Sequence, residues 1–133
     1  MSDSAAVLFA NDAFYVAFLN HDMKAMDDLW ACGAMVSCIH PGWNHLTGRE
    51  AVIESWARIL ANHNGPTFKV SGASVSIYKD TAVVICYEVF DDQTVVATNI
   101  FLREQNEWRI IHHQAGFSPP PNSDVIEQRA TIQ

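Results

Sequence analysis

The chain lacks an excess of basic residues, a long apolar run and a paired-cysteine motif. Of its 133 residues, 8 are Lys or Arg and 15 are Asp or Glu, which gives a formal net charge of −7. Binding to nucleic acid or to an anionic membrane needs clustered Lys and Arg, so neither is expected as a partner. No uninterrupted apolar stretch approaches the roughly 20 residues of a membrane-spanning helix.

The cysteines are too few and too widely spaced for a disulfide framework. Cys32, Cys38 and Cys86 are odd in number and form no C-x-x-C motif, so they are predicted to be free thiols. Free thiols are typical of reducing compartments. The N-terminal stretch MSDSAAVLFAND has no basic segment before its short apolar run, so no signal peptide is expected. These features together predict a cytoplasmic protein.

Apolar residues, by contrast, are abundant and make up 49% of the chain. No repeat or low-complexity tract divides the sequence, so a single domain over residues 1–133 is expected. Its core should cover about residues 6–120, followed by a C-terminal tail over 121–133. At this length folding buries roughly two-thirds of the surface of the unfolded chain, so the core needs no disulfide.

Apolar spacing predicts three helices in the first half of the chain. They cover residues 4–20, 23–31 and 48–63. The first should bury a stripe that runs through Leu8, Asp12, Tyr15 and Leu19, with Phe14 and Phe18 beside it. Asp22 is the predicted N-cap of the second helix. Before the third, Thr47 and Glu50 match the S/T-x-x-E pattern, which predicts a capping box.

Strand-like segments separated by short polar connections fill the second half. After a short strand in AMVSCIH, the segments are TFKVSGASVSIY, TAVVICYEVF, TVVATNIFLRE and EWRIIHHQA. Such connections are typical of antiparallel hairpins, and the chain from Gly116 onward is expected to leave the sheet. The order of elements predicts an α+β fold, with a curved antiparallel sheet packed against three N-terminal helices.

The predicted sheet is apolar on both faces. In TAVVICYEVF, one face carries Val83, Ile85, Tyr87 and Val89, and the other carries Ala82, Val84, Cys86 and Phe90. An antiparallel sheet with one face in water alternates between apolar and polar residues. The helices can cover one face only, so the second face is predicted to form a homodimer.

Three segments carry a family resemblance: FYVAFLNHDMKAMDDLW, HPGWNHLTGREAVIESW and TNIFLREQNEWRIIHHQ. They resemble the SnoaL-like branch of the nuclear transport factor 2-like superfamily, which includes ketosteroid isomerase. The resemblance covers about Ala6 to Pro120. It implies a cone-shaped fold, in which the curved sheet wraps against the helices and leaves an apolar pocket at the wide end. Because this superfamily includes isomerases, cyclases, dehydratases and non-enzymatic association domains, the resemblance implies no single reaction.

The resemblance also implies positions for catalytic groups. The tyrosine in the first helix of ketosteroid isomerase falls on Tyr15, and one of its oxyanion donors falls near Thr98 or Asn99. The position of its catalytic aspartate falls near His40 and Pro41, where this chain has no carboxylate. His40 is then the candidate base, because an imidazole with an ordinary pKa near 6.5 exchanges protons at neutral pH. The alternative is a histidine that only binds the adjoining loop.

Tyr15 and Asn99 each allow a functional and a structural interpretation. Tyr15 could donate to a ligand oxygen or to a backbone carbonyl. Asn99 is predicted in mid-strand on an apolar face, where it could hold a ligand or a neighbouring loop, because an unpaired buried amide costs about 1–3 kcal/mol. In the functional interpretation, His40 moves a proton while Tyr15 and Asn99 polarise an oxygen of the ligand. Isomerase, cyclase or dehydratase chemistry would fit.

The predicted pocket wall is mostly aromatic and apolar. The ligand-binding residues are predicted to be Phe18, Trp43, Trp56, Leu60, Tyr87, Phe101, His112 and Gln114. Such a wall favours a small, largely apolar organic ligand. His112 and His113 are adjacent on a strand, so one should face the pocket and the other the subunit interface. The alternation predicts that His112 shares a face with Trp108 and Ile110.

No metal or cofactor is expected. His40 and His45 are five residues apart in a Pro-Gly loop, without an H-E-x-x-H motif or paired cysteines. Cys38 and His40 share a strand face, but nothing in the sequence indicates an orienting third group for a thiol nucleophile. The alternative to an enzyme is a non-catalytic dimerisation or association module of the same fold.

Overall fold

The structure, a computed structural model, describes residues 1–121 as three helices and six strands. The helices are α1 (Asp3–Leu19), α2 (Met23–Leu29) and α3 (Arg49–Ala61). The strands are β1 (Ser37–Ile39), β2 (Leu46–Thr47), β3 (Lys69–Tyr78), β4 (Thr81–Val89), β5 (Thr94–Glu104) and β6 (Glu107–Ser118). Of the predicted tail, residues 122–133 lie outside the described residues. No described helix is long and apolar enough to cross a membrane.

The strands form one curved sheet in the order β2-β1-β6-β5-β4-β3, and the helices pack on its inner face. This arrangement confirms the predicted α+β fold. Strands β3 to β6 are the predicted antiparallel meander. Strand β1 differs, because it runs parallel to β6 and places Cys38 beside His113. The sheet is therefore mixed, and β1 lies beside the middle of β6.

The buried face of α1 agrees with the predicted stripe only in part, at Tyr15 and at the adjoining Phe14. The buried residues are Val7, Asn11, Phe14, Tyr15 and Ala17. Of the predicted stripe, Tyr15 alone is fully buried, whereas Leu8 is half-buried and Asp12 and Leu19 are exposed. Apolar residues occur on every side of α1, so periodicity could not select the face that packs on the sheet.

The two predicted helix caps have different outcomes. The Asp22 carboxylate accepts a hydrogen bond from Ala25 N at 3.1 Å, which confirms the N-cap of α2. The capping box before α3 is wrong. Thr47 belongs to β2, and Gly48 is the N-cap without a side-chain hydrogen bond. Pairing with β1 keeps Thr47 extended, and the positive φ of 97° at Gly48 then turns the chain into the helix.

A β-bulge in β6 changes which of its residues share a face. Ile110 and His112 pair with consecutive residues of β5, which leaves Ile111 as the extra residue. The alternation reverses beyond Ile111, so His113 is buried and His112 is not. The predicted common face of His112 with Trp108 and Ile110 is therefore wrong.

Strand β6 is also longer than predicted. Gly116 pairs with Val96 and Ser118 pairs with Thr94, so the chain leaves the sheet only at Pro119. Backbone N–H groups up to Ser118 can still join the ladder, whereas proline has none to donate. Because of this extension, Phe117 lies at the open end of the space between the sheet and α3.

Candidate functional site

A cavity of about 830 Å³ lies between the sheet and the C-terminal ends of α1 and α3. This volume is within the range of small-molecule sites. The apolar part of its wall includes Phe18, Leu60, Phe68, Phe90, Val95 and Phe117. Exposed residues at its rim include Arg58, whose guanidinium lies 5.5 Å from the centre of the Trp43 ring. Three buried titratable side chains, His40, Glu88 and His113, interrupt the apolar wall, and the half-buried His21 also lines it.

His40 follows β1 and is only 4% exposed. Its Nε2 lies 2.9 Å from Ser55 Oγ in α3, and the Ser55 hydroxyl donates to Val52 O at 2.6 Å. The ring meets the rings of Trp43 and Trp56 edge-on. Burial lowers the pKa of His40 to about 4, so the ring is neutral at pH 7. The ring thus has a hydrogen-bond partner on α3, while its contact with the adjoining loop is with the Trp43 ring.

His113 lies on β6 with its ring centre 6.1 Å from that of His40. Its Nδ1 is 2.6 Å from Asn99 Oδ1 on β5. Burial lowers the pKa of His113 to about 3, with smaller contributions from His40 and His112. The His40 and His113 rings are therefore both neutral at pH 7 and can accept hydrogen bonds. Either ring would hold a proton firmly only beside a negative charge, such as an ionised Glu88 or a developing oxyanion.

Glu88 is a carboxylate in the cavity wall that the sequence analysis did not identify. It lies on β4 and is 3% exposed. Burial raises the pKa of Glu88 to about 7, although a 2.7 Å hydrogen bond from Tyr15 Oη opposes the rise. At neutral pH both its acid and its anion are populated, so it can donate or accept a proton. A signal existed in the sequence, because Glu88 alternates with the apolar Cys86 on the inner face of the strand.

Tyr15 and Asn99 lie behind the cavity wall and connect Glu88 to His113. Asn99 Nδ2 is 2.9 Å from Asn11 Oδ1 and 3.4 Å from Tyr15 Oη. Burial raises the pKa of Tyr15 well above its ordinary range, so the phenol keeps its proton. Neither Tyr15 nor Asn99 is among the residues that line the cavity. They hydrogen-bond to side chains that do, and their own contact with a ligand oxygen stays a prediction.

Three of the eight predicted ligand-binding residues, Phe18, Trp43 and Leu60, line the cavity. Trp56 and Phe101 do not line it and are fully buried in the core. Trp56 still contributes to the site, because its ring packs against His40 and His113.

The other three predicted ligand-binding residues, Tyr87, His112 and Gln114, are on the outer face of the sheet and cannot line the cavity. Tyr87 alternates with Cys86 and Glu88, which are both buried on the inner face. The bulge in β6 places His112 and Gln114 outside, where His112 Nδ1 is 2.6 Å from Ser37 Oγ. A bulge results from pairing with β5, so alternation within β6 alone could not reveal it.

The cysteines offer no reactive thiol at the cavity. Cys32 is exposed, whereas Cys38 and Cys86 are buried. Cys38 Sγ is 3.5 Å from His40 Nε2, but burial raises the pKa of this thiol to about 12. Within residues 1–121, no group of three or more His, Cys, Asp or Glu side chains is placed to hold a metal ion.

The cytoplasmic location stays a prediction.

Comparison with known proteins gives matches in both sequence and structure. A family model described as a SnoaL-like domain matches residues 7–120. A solved structure from Streptomyces avermitilis, named as a candidate dehydratase of the NTF2-like family, has a TM-score of 0.81 and 35% sequence identity. The match covers 89% of this chain and 97% of that one.

Two further matches share less of their sequence with this chain. The CaMKII hub of S. rosetta has a TM-score of 0.73 over 89% of this chain and 98% of its own. Its 18% identity shows the fold alone. The F-box protein SKIP8 of Arabidopsis thaliana is 28% identical over 123 residues, which are 91% of this chain and 53% of that protein. The chain thus spans about half the length of this curated relative.

Proposed function

Because the chain belongs to the SnoaL-like domain family, we propose that it binds a small, largely apolar organic molecule and catalyses proton transfer within it. The observation that carries the proposal is the cavity wall, where two neutral imidazoles and a carboxyl group of raised pKa interrupt an apolar surface. Titratable groups whose pKa values are driven apart by burial are typical of acid–base sites.

A dehydratase-type reaction fits these groups. His40 would accept the proton of a C–H bond, and protonated Glu88 would donate its proton to a hydroxyl group on the neighbouring carbon. The C–H and C–O bonds break, a C=C bond forms, and the hydroxyl leaves as water. The glutamate anion left behind would stabilise the imidazolium. The 35% identical relative named as a candidate dehydratase supports this type of reaction over isomerisation or cyclisation.

The test begins by identifying the substrate. Mass spectrometry of the purified protein would identify a small molecule that copurifies, and turnover of that molecule or its hydrated form would then be measured. We expect His40→Gln and Glu88→Gln each to lower kcat by roughly 10²–10⁴, the usual contribution of a general acid or base. His45→Gln is the matched control, because His45 is exposed in the same loop and does not line the cavity. Unchanged kcat in both cavity variants would overturn the proposal.

We also propose that the protein is a homodimer joined through the outer face of its sheet. The outer face carries half-exposed or exposed apolar side chains, namely Val83, Ile85, Tyr87, Val96, Ile100 and Leu102. The residues on this face are uncharged along β4 and along β5 as far as Leu102, and Glu104 is the first charged residue beyond them. A contiguous apolar surface of this kind favours a two-fold interface between identical chains.

A non-catalytic association module is the second candidate function. The CaMKII hub has the same fold, which is consistent with this function. In that case the protein should assemble, retain no small molecule through purification and turn over none of the compounds tested. Substitutions at His40 and Glu88 would then leave assembly unchanged.

A further inference from the structure

We infer that Asn99 is a positioning residue, which holds His113 in the tautomer with its hydrogen on Nδ1. The cavity then presents the unprotonated Nε2 of His113, and it selects ligands that bring a hydroxyl group to this point. The ligand part of the inference rests on the proposed function. The tautomer part rests on the geometry of the hydrogen bonds with Glu88 ionised.

The direction of the bond between His113 and Asn99 depends on which end of the amide faces the ring. The two side chains are 2.6 Å apart at His113 Nδ1. A carboxamide oxygen there requires a hydrogen on Nδ1, whereas an NH₂ group there requires a lone pair. Both arrangements place the heavy atoms alike, so the other partners of Asn99 decide between them.

Those other partners, Tyr15 and Asn11, both lie on α1. The second end of the Asn99 amide is 3.4 Å from Tyr15 Oη, and Tyr15 Oη is 2.7 Å from Glu88 Oε2. An ionised carboxylate only accepts, so the single hydroxyl hydrogen of Tyr15 goes to Glu88. The Tyr15 oxygen can then only accept from Asn99. The NH₂ group therefore faces Tyr15, the oxygen faces His113, and Nδ1 carries the hydrogen.

Asn11 strengthens this orientation from a second direction. Its Oδ1 is 2.9 Å from the same end of the Asn99 amide, and its own NH₂ group points to Cys86 Sγ at 3.9 Å. The Asn99 NH₂ group thus has two acceptors, one from each of its α1 neighbours. Reversing the amide would make the Asn99 oxygen face the Asn11 oxygen. Because these groups are buried, each unpaired group would cost about 1–3 kcal/mol of stability.

The tautomer decides what the cavity wall offers to a ligand. In a neutral ring with hydrogen on Nδ1, Nε2 keeps its lone pair. Nε2 of His113 has no hydrogen-bond partner among residues 1–121, and His113 lines the cavity. The neutral ring of His40 also keeps one unprotonated nitrogen. The Ser55 hydroxyl donates to Val52 O and must accept from His40 Nε2, so the lone pair of His40 is on Nδ1. A ligand hydroxyl can donate to Nε2 of His113, whereas an ether oxygen in its place would meet lone pair with lone pair.

The tautomer can be read directly, without a ligand, by nitrogen-15 NMR of the histidine-labelled protein at about pH 9. That pH lies well above the Glu88 pKa of about 7, so the carboxylate is ionised. The spectrum identifies which ring nitrogen is protonated, and comparison with His113→Gln assigns the signals. We expect hydrogen on Nδ1 of wild-type His113. Hydrogen mainly on Nε2 would overturn the inference, whatever the variants do.

Two substitutions at Asn99 separate positioning from packing. Asn99→Leu keeps the volume but removes the acceptor, so both tautomers of His113 should become populated. Asn99→Asp keeps an acceptor, so the hydrogen should stay on Nδ1. Val84→Ala is the control, because Val84 is fully buried and pairs with Asn99 across the sheet. It should lower stability without moving the hydrogen, and a shift of the tautomer there would count against a specific role of Asn99.

The ligand part can be tested with two neutral probes of similar shape, 2-naphthylmethanol and its methyl ether. Calorimetry at about pH 9 should show that the wild-type protein binds the alcohol about tenfold more tightly, the equivalent of one hydrogen bond of roughly 1.4 kcal/mol. Asn99→Leu should lose most of this preference and Asn99→Asp should retain it. Equal affinities in the wild-type protein would overturn the ligand selectivity. Binding of neither probe would count against the proposed function, while the NMR result would still decide the tautomer.

Discussion

Glu88 places an acid in a wall that is otherwise built to exclude water. Its carboxyl group shares the inner face of β4 with Cys86, and Tyr15 gives it its hydrogen bond. A charged form in such surroundings is costly, which is why its pKa rises to about 7. The residue therefore lowers stability at neutral pH, a common property of catalytic groups.

The pH dependence of stability should reveal this cost. The folded-state pKa of Glu88, about 7, exceeds its ordinary value of 4.5, so the folded state binds the proton more tightly between these values. The associated stability is present below about pH 4.5 and is lost as the pH rises through 7. Glu88→Gln has no such loss. As the pH rises across this range, its free energy of unfolding should therefore increase relative to that of the wild type, by at most about 1.4 kcal/mol per pH unit.

Urea unfolding at a series of pH values measures this difference. Glu54→Gln is the matched control, because Glu54 is exposed on α3. Its curve should run parallel to that of the wild type. If the Glu88→Gln curve also ran parallel, the carboxyl group would not have the raised pKa described above. His40 and His113 contribute with the opposite sign in all of these proteins, because their lowered pKa values destabilise the folded state as the pH falls below about 6.5.

At the scale of elements, helix starts separate what a local motif can predict from what it cannot. Asp22 caps α2 because its partner, Ala25 N, is three residues away in the same helix. Thr47 also matches a cap motif, but pairing of β2 with β1 takes it into the sheet. The motif was therefore correct where only local groups compete and wrong where a distant strand competes.

Substitutions at these positions should reflect the difference. Asp22→Ala should lower the free energy of unfolding by about 1 kcal/mol, because it removes the cap. Thr47→Ala should change it by less than about 0.5 kcal/mol, since the exposed side chain caps nothing. Chemical denaturation of both variants gives the comparison. Equal costs would indicate that Thr47 caps α3 after all.

Gly48→Ala provides a further contrast at the same helix start. A Cβ at Gly48 would meet nothing within 4 Å, so any cost comes from the backbone. The φ of 97° is unfavourable for a residue with a side chain, and such conformations cost about 1–3 kcal/mol. Gly48→Ala should therefore destabilise the protein more than Thr47→Ala does, in the same denaturation experiment.

At the scale of the whole molecule, the two faces of the sheet have different environments. The inner face is closed by the helices and contains the cavity, whereas the outer face leaves Ile85 43% exposed. Sedimentation equilibrium should show a wild-type dimer, and Ile85→Lys should give a monomer, because the charge would be buried at the interface. Phe9→Lys is the control, since Phe9 is 67% exposed but lies on α1. A dimer that persists in Ile85→Lys would contradict the proposed interface.

The sequence by itself determined the helices, the four long strands and their hairpin connections. These features depend on residues that are close in the chain, since alternation and turn residues act over a few positions. The same alternation was enough to place Asn99 on the inner face of β5, beside Ala97 and Phe101. It also places Glu88 on the inner face of β4, where it is the one acidic residue among apolar ones.

Only the tertiary structure decided which side chains meet in the cavity. Parallel pairing of β1 with β6 brings Cys38, and with it His40, close to His113, although these residues are far apart in the chain. The bulge at Ile111 then selects His113 over His112. Both are properties of how one strand pairs with another, and the residues of a single strand do not encode them. The physical reason is that register depends on contacts between distant segments, and a shift of one residue exchanges the faces of every side chain beyond it.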